Sequence, residues 1–129
     1  MNLVKTYIDK SNIEGIGLFA GEFIPKGTII WEFTKGLDIL LTEEEYNNLN
    51  INNIQKKYID RYIFGKDKLY IICIDDAKYC NHSYNPNTFG YDKQIANKNI
   101  YTGEEITCNY FEINNDWSEE EFKILTSNK

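Results

Sequence analysis

Asn81-His82-Ser83-Tyr84-Asn85-Pro86-Asn87 gathers three side-chain amides and the only histidine of the chain around a proline turn. Amide and imidazole groups both donate and accept hydrogen bonds, so this segment can hold a polar ligand or cross-link backbone. A histidine beside a turn is also a common structural hydrogen-bonder; Ser83 and Pro86-Asn87 tilt this one toward a ligand role. Downstream, Gly103-Glu104-Glu105-Ile106-Thr107-Cys108-Asn109-Tyr110 reads as a turn and a short strand that ends in a tyrosine. A hydroxyl fixed at a strand end can place charge at a reacting centre. Near the start, Gly15-Ile16-Gly17 precedes Leu18-Phe19-Ala20, which reads as a buried strand. Glycine lets a ligand approach the backbone, whose amides and carbonyls can then face it. Each feature has a plainer reading, as a turn, a core tyrosine or a surface tyrosine among ten.

The elements that must position these residues are mostly short. Leu3 to Ile8, Thr28 to Phe33, Leu69 to Ile74 and Ile106 to Tyr110 are β-branched and aromatic runs bounded by turns, and read as strands. Gly65-Lys66-Asp67 reads as a hairpin tip. Thr42-Glu43-Glu44-Glu45 is a capping box that opens a helix to about Leu49. A second helix, about Asn53 to Tyr62, sets Ile54, Tyr58 and Tyr62 on one face. Ser118 with Glu121 caps a terminal helix carrying Phe122, Ile124 and Leu125. One internal echo stands out: Ala20, Ile24, Gly27 and Ile30 have the spacing of Ala96, Ile100, Gly103 and Ile106. It suggests two β-hairpin-like units about a pseudo-twofold.

The three motifs, in this order, resemble those of SET-domain protein lysine methyltransferases: G-x-G-x-F-A, N-H-S-x-x-P-N and G-E-E-I-T-x-x-Y. They bracket roughly positions 4 to 117. The resemblance implies a mainly β fold of small twisted sheets (the β-clip architecture), with a short helical insert at about 42–64 and a C-terminal pseudoknot joining the Asn81 and Tyr110 segments. It implies a single domain over 1–129, with S-adenosyl-L-methionine as cofactor. Glu14, Gly15, Ile16 and Gly17 are then expected to meet the methionine part through backbone. Asn81 would meet the amino group or ribose, and His82 the adenine edge. Tyr79 belongs to the same group; Lys78-Tyr79 stands where the family commonly has Arg-Phe. Tyr110 is expected to be catalytic, placing the amine and the sulfonium. Tyr62 is expected to wall the lysine channel, with a core tyrosine as the alternative. Trp117 would cover the adenine or line the channel, unless it packs in the core. Cys108 stands two before Tyr110, where many members carry Phe or Tyr, and its small side chain implies room for more than one methyl.

Length and composition bound the rest. At 129 residues the chain can bury one core. Twenty acidic residues against fourteen basic give a net charge of −6, which repels nucleic acid and favours a basic, lysine-containing protein partner. Three cysteines, an odd number without C-x-x-C spacing, predict reduced thiols in an intracellular protein and no structural metal. No cysteine follows Cys108, so the zinc module that closes the channel in many members is not expected. No apolar run is long enough to span a membrane, and no secretory signal is seen. A homodimer is left open. The expected function is methyl transfer to protein lysine. The alternatives are a SET-like module that only binds a peptide or partner, and an enzyme acting on a non-protein amine.

Overall fold

A computed structural model describes residues 1–114 of the chain. Among these residues ten strands lie in three small sheets, joined by three short α-helices and a 3-10 turn at Asp76–Tyr79. The first sheet takes β1 (Thr6–Lys10), β2 (Ile16–Ala20), β7 (Asn81–His82) and β10 (Glu105–Cys108), in the order β1-β2-β10-β7. The second joins β3 (Ile29–Glu32), β9 (Lys93–Ala96) and β8 (Thr88–Phe89) in that order. The third orders β4 (Ile39–Thr42), β6 (Leu69–Ile72) and β5 (Phe64–Lys66). Helices α1 (Glu43–Asn47) and α2 (Asn53–Tyr62) form the insert between β4 and β5, and α3 (Tyr110–Ile113) is a single turn after β10. The expected mainly β architecture of small sheets with a helical insert is present.

The core is built by the internal echo. Leu18, Ala20, Ile24, Ile30, Ala96, Ile100 and Ile106 are each between 0 and 2 % exposed and form one cluster. The two units exchange matching hydrogen bonds. Ile24 N–H donates to Ile100 O and Ile100 N–H to Ile24 O, both at 2.8 Å. Gly27 N–H donates to Ala96 O, and Gly103 N–H to Ala20 O. Gly27 and Gly103 share the same left-handed backbone, with φ of 89° and 90°, which only glycine adopts without strain. The repeat is therefore structural.

Several expected boundaries shift for identifiable reasons. The strand expected over Leu3 to Ile8 divides: Asn2 bridges Trp31 and Leu3 N–H donates to Ile30 O, while Thr6–Lys10 pairs with β2. The strand expected to end at Tyr110 stops at Cys108, because Asn109 accepts from Phe111 N–H and caps α3. The hairpin tip is Asp67-Lys68, both at positive φ as a two-residue turn requires, and Gly65 lies inside β5 against Tyr70. The capping box at Thr42 is present, and α2 carries a second one, Asn52 with Gln55. The helix over Asn53–Tyr62 forms as expected, but Ile54 on its face is 82 % exposed and α2 buries no residue fully. The terminal helix expected around Phe122 lies outside the described residues.

The β7–β10 pairing is parallel, with Thr107 opposite Asn81 and Cys108 opposite His82. This is the join expected between the two motif segments. After β10 the chain is tied on successive sides. Tyr110 N–H donates to His82 Nδ1, Glu112 accepts from Gly90 N–H, and Asn114 Oδ1 accepts from Gly65 N–H.

Candidate active site

Asn87 links the proline turn to β10 by imitating backbone. Its Nδ2 donates to Glu105 O at 2.8 Å and its Oδ1 accepts from Thr107 N–H at 2.9 Å. Asn87 is 7 % exposed, so these bonds stand in for a missing strand partner where water cannot. They hold Asn81 and His82 alongside Thr107 and Cys108. His82 Nδ1 then accepts the Tyr110 N–H at 3.0 Å, which places the ring proton of the neutral imidazole on Nε2. The His82 ring packs against Tyr84 at 4.5 Å, Tyr110 at 5.3 Å and Phe111 at 5.7 Å between centroids.

Tyr110 is positioned at both ends. Its backbone N–H is held by His82, and its hydroxyl donates to Cys80 O at 2.6 Å. Burial pushes that hydroxyl well above the ordinary tyrosine range, with Cys108, Cys80, Glu14 and Tyr62 adding in the same direction. Cys80 as a carbonyl acceptor escaped the sequence reading, since a backbone oxygen leaves no residue-type signal.

Asn81, 5 % exposed, organises the glycine loop. Its Nδ2 lies 3.0 Å from Glu14 O, 3.2 Å from Ile16 O and 3.1 Å from Glu105 Oε2. The amide nitrogen expected to meet a ligand is thus spent on the protein, shaping the loop from beneath. Gly17 is packed from within the chain. A Cβ there would lie 2.6 Å from Glu105 Oε2, so the close approach Gly17 permits is that of a carboxylate of this chain. At Gly15, with φ of 49°, a Cβ would meet nothing within 4 Å, so the open side of the loop is there. Glu105 also escaped the sequence reading, although it stood inside the third motif.

A third group gathers at the insert. The Tyr62 ring lies 4.9 Å from that of Tyr58 and 5.7 Å from that of Tyr79. Lys78 Nζ sits 5.4 to 5.8 Å from the Tyr58, Tyr62 and Tyr79 centroids and donates to the Tyr58 hydroxyl at 3.1 Å. That hydrogen bond, foremost, raises the Lys78 pKa and keeps it cationic. Tyr79, expected among the cofactor-binding residues, stands edge-on to Tyr62. A cavity of about 80 Å³ joins this group to Tyr110, and Tyr62, Cys80, Cys108, Ile106 and Ile113 line it. Asn114 keeps its two sides together, donating to Tyr110 O while accepting from Gly65 of β5. Trp117 lies outside the described residues. Among the described residues no cluster of His, Cys, Asp and Glu is placed to hold a metal ion, and no helix is long and apolar enough to cross a membrane.

A polar loop with an open glycine, a buried amide beneath it and a mostly apolar cavity lined by Tyr62 and Tyr110 can hold a polar cofactor on one side and desolvate an amine on the other. Known proteins resemble the chain in sequence and in fold. A histone-lysine N-methyltransferase of Debaryomyces hansenii, H3 lysine-36 specific, is 30 % identical over 115 residues, which cover 78 % of this chain. The chain spans 15 % of that relative's length. Its fold matches a chain of the Chaetomium thermophilum Polycomb Repressive Complex 2, in a humanized mutant bound to an inhibitor, with a TM-score of 0.64 at 23 % identity over 85 % of this chain and 15 % of that one. It also matches ctPRC2 in an autoinhibited conformation bound to S-adenosylmethionine, with a TM-score of 0.65 at 23 % identity over 97 % of this chain and 17 % of that one. Residues 15–111 match the SET domain, and the chain belongs to the SET domain family.

Proposed function

We propose that the chain is an S-adenosyl-L-methionine-dependent protein-lysine N-methyltransferase. The observation that carries this reading is the double hold on Tyr110, by His82 at its backbone and Cys80 O at its hydroxyl, at the wall of a cavity shared with Tyr62. Family membership and the name of the Debaryomyces relative support it.

The residues fit the cofactor. The loop is open at Gly15, its carbonyls are fixed by Asn81, and the His82 ring stands in an aromatic setting beside it. Glu14, Gly15, Ile16 and His82 would hold it, on a loop that Asn81 and Gly17 shape from beneath, with Tyr79 beside the insert and Trp117 as a cover. When bound, it supplies an electrophilic methyl on a sulfonium. The chain does the rest. The apolar cavity disfavours an ammonium, so a lysine entering it is driven toward the neutral, nucleophilic amine. Its proton leaves to solvent before attack. The Tyr110 hydroxyl, pushed up by burial, stays neutral and is no general base; it fixes orientation, which lowers the barrier by positioning. Cys108 beside Tyr110 leaves room for an amine that already carries a methyl.

The substrate is a lysine-containing basic protein, drawn by the acidic surface, with no direct contact to nucleic acid. The protein acts inside the cell as one domain over 1–129, and a homodimer would supply further substrate contacts. Calorimetry with S-adenosylmethionine and its demethylated product is the test, followed by transfer of a labelled methyl to basic proteins. Micromolar binding is expected, about −8 kcal/mol. Absence of both heat and thermal shift at millimolar ligand overturns the proposal. Binding without transfer to any protein leaves the non-catalytic module, and label on small amines alone leaves the third reading.

A further inference from the structure

We infer that Glu105 is the positioning residue that sets the shape, and so the affinity, of the cofactor loop; this rests on the reading of that loop given above. Its carboxylate is the hub of two chains of hydrogen bonds. Ser11 Oγ donates to it at 2.8 and 2.9 Å, and the same oxygen accepts from Ile13 N–H at 2.9 Å and Glu14 N–H at 3.2 Å. Asn81 Nδ2 reaches it at 3.1 Å while also reaching Glu14 O and Ile16 O. One chain therefore fixes the amides of the loop and the other its carbonyls, and both end on Glu105. The carboxylate also fills the space left by the missing side chain of Gly17. Ser11 and Glu105 are 94 residues apart in sequence, so β10 delivers the carboxylate to the loop only when the first sheet is assembled.

The chemistry requires an acceptor for both donors; Oε2 lies 2.9 Å from Ser11 Oγ and 3.1 Å from Asn81 Nδ2, and Oε1 faces Ser11 Oγ at 2.8 Å. Ser11 Oγ already accepts two backbone N–H groups, so its own proton must go to an acceptor, and Asn81 presents N–H only. A glutamine keeps the shape but turns an amide nitrogen toward one of these donors. Hydrogen bonds to a charged group carry enough energy that breaking one such link is expected to weaken binding about tenfold to a hundredfold. The effect is expected in cofactor affinity and in KM for cofactor. The kcat at saturating cofactor should change less, because Tyr110 is held by other groups.

The test compares wild type with Glu105→Gln by calorimetry, by steady-state kinetics and by hydrogen exchange at Ile13 and Glu14. The expected result is a Kd for S-adenosylmethionine raised about tenfold or more with faster exchange at those two amides. A Glu105→Gln protein that binds like wild type, with unchanged exchange, overturns the inference. Wild type that binds no cofactor overturns the reading of the site instead; the exchange comparison still decides whether Glu105 organises the loop. A second pair separates shape from general damage. Gly17→Ala is expected to lose most cofactor binding in the wild-type background, where its methyl meets the carboxylate. It is expected to cost much less alongside Glu105→Ala. Equal losses in both backgrounds count against the packing half of the inference. If the alanine variant does not fold, Ser11→Ala tests the same amide link, with the same exchange signature expected.

Discussion

Ile24 and Ile100 hydrogen-bond each other in both directions and are almost wholly buried, whereas Ile54 on the outward face of α2 is 82 % exposed. The two regions are held by different physics. The duplicated β units are fixed by apolar burial around reciprocal backbone bonds. The insert is fixed by polar and aromatic contacts. The Tyr46 hydroxyl meets Asp60, Lys56 Nζ donates to both, and the Tyr46 ring packs at a tilt against Tyr70 of β6. Neither α1 nor α2 has a buried residue. Burial of this kind tolerates little change in volume, while surface polar contacts contribute little each and can be rearranged. The core thus sets a rigid frame for the cofactor loop and Tyr110, and the insert presents Tyr62 on a wall that can vary.

Ile100→Ala tests the frame hardest. Its loss is expected to be about 2–5 kcal/mol in urea unfolding, and Ile24→Ala should match it because the two positions are equivalent. Unequal losses would break the twofold picture. Tyr110→Phe comes next, with roughly 10²–10³ lost in turnover, cofactor binding close to wild type, and roughly 1–3 kcal/mol lost in unfolding because Cys80 O is left without its donor. The rate should still rise toward alkaline pH in this variant, since the group that loses its proton is the substrate amine and not a hydroxyl already held above its ordinary range. A profile that flattens in Tyr110→Phe would make the hydroxyl the titrating group. Asn87→Ala removes two buried links to β10 and should cost roughly 1–3 kcal/mol of stability, with slower turnover as His82 loosens. A stability loss with unchanged turnover would separate the frame from the site. Tyr46→Phe is expected to cost only about 1 kcal/mol, with faster hydrogen exchange confined to α2. Protection lost in β2 or β10 would show the insert to be part of the core after all.

The frame was more legible than the site. Ala20, Ile24, Gly27 and Ile30 repeat as Ala96, Ile100, Gly103 and Ile106 because each unit must bury the same side chains around the same glycine turn, and that demand is written in residue types. The helix over Asn53–Tyr62 was legible from the spacing of Ile54, Tyr58 and Tyr62, although Ile54 is left exposed. Periodicity marks an apolar stripe without saying whether anything covers it. The motifs led to Asn81, His82 and Tyr110. Their hydrogen bonds were hidden, since Asn81 and Asn87 work as substitutes for backbone and Cys80 acts through its own carbonyl. Glu105 was hidden differently: a carboxylate in an acidic strand start looks solvated until a glycine from the other end of the chain is set against it.

The placement of β10 between β2 and β7 bears on how the protein comes to fold. The strand that completes the first sheet is the last among the described residues, and the bonds that close the core join Ala20 to Gly103 and Ile24 to Ile100. A chain emerging during synthesis holds Leu18, Ala20 and Ile24 without Ile100, Gly103 and Ile106 of the second unit until residues 100–106 appear. Contacts this distant in sequence must meet the loop-closure cost before any burial repays it, so folding should be slow and all-or-none around β10. Until then the apolar edge of β2 stays open, and in that interval the chain is exposed to pairing with other chains.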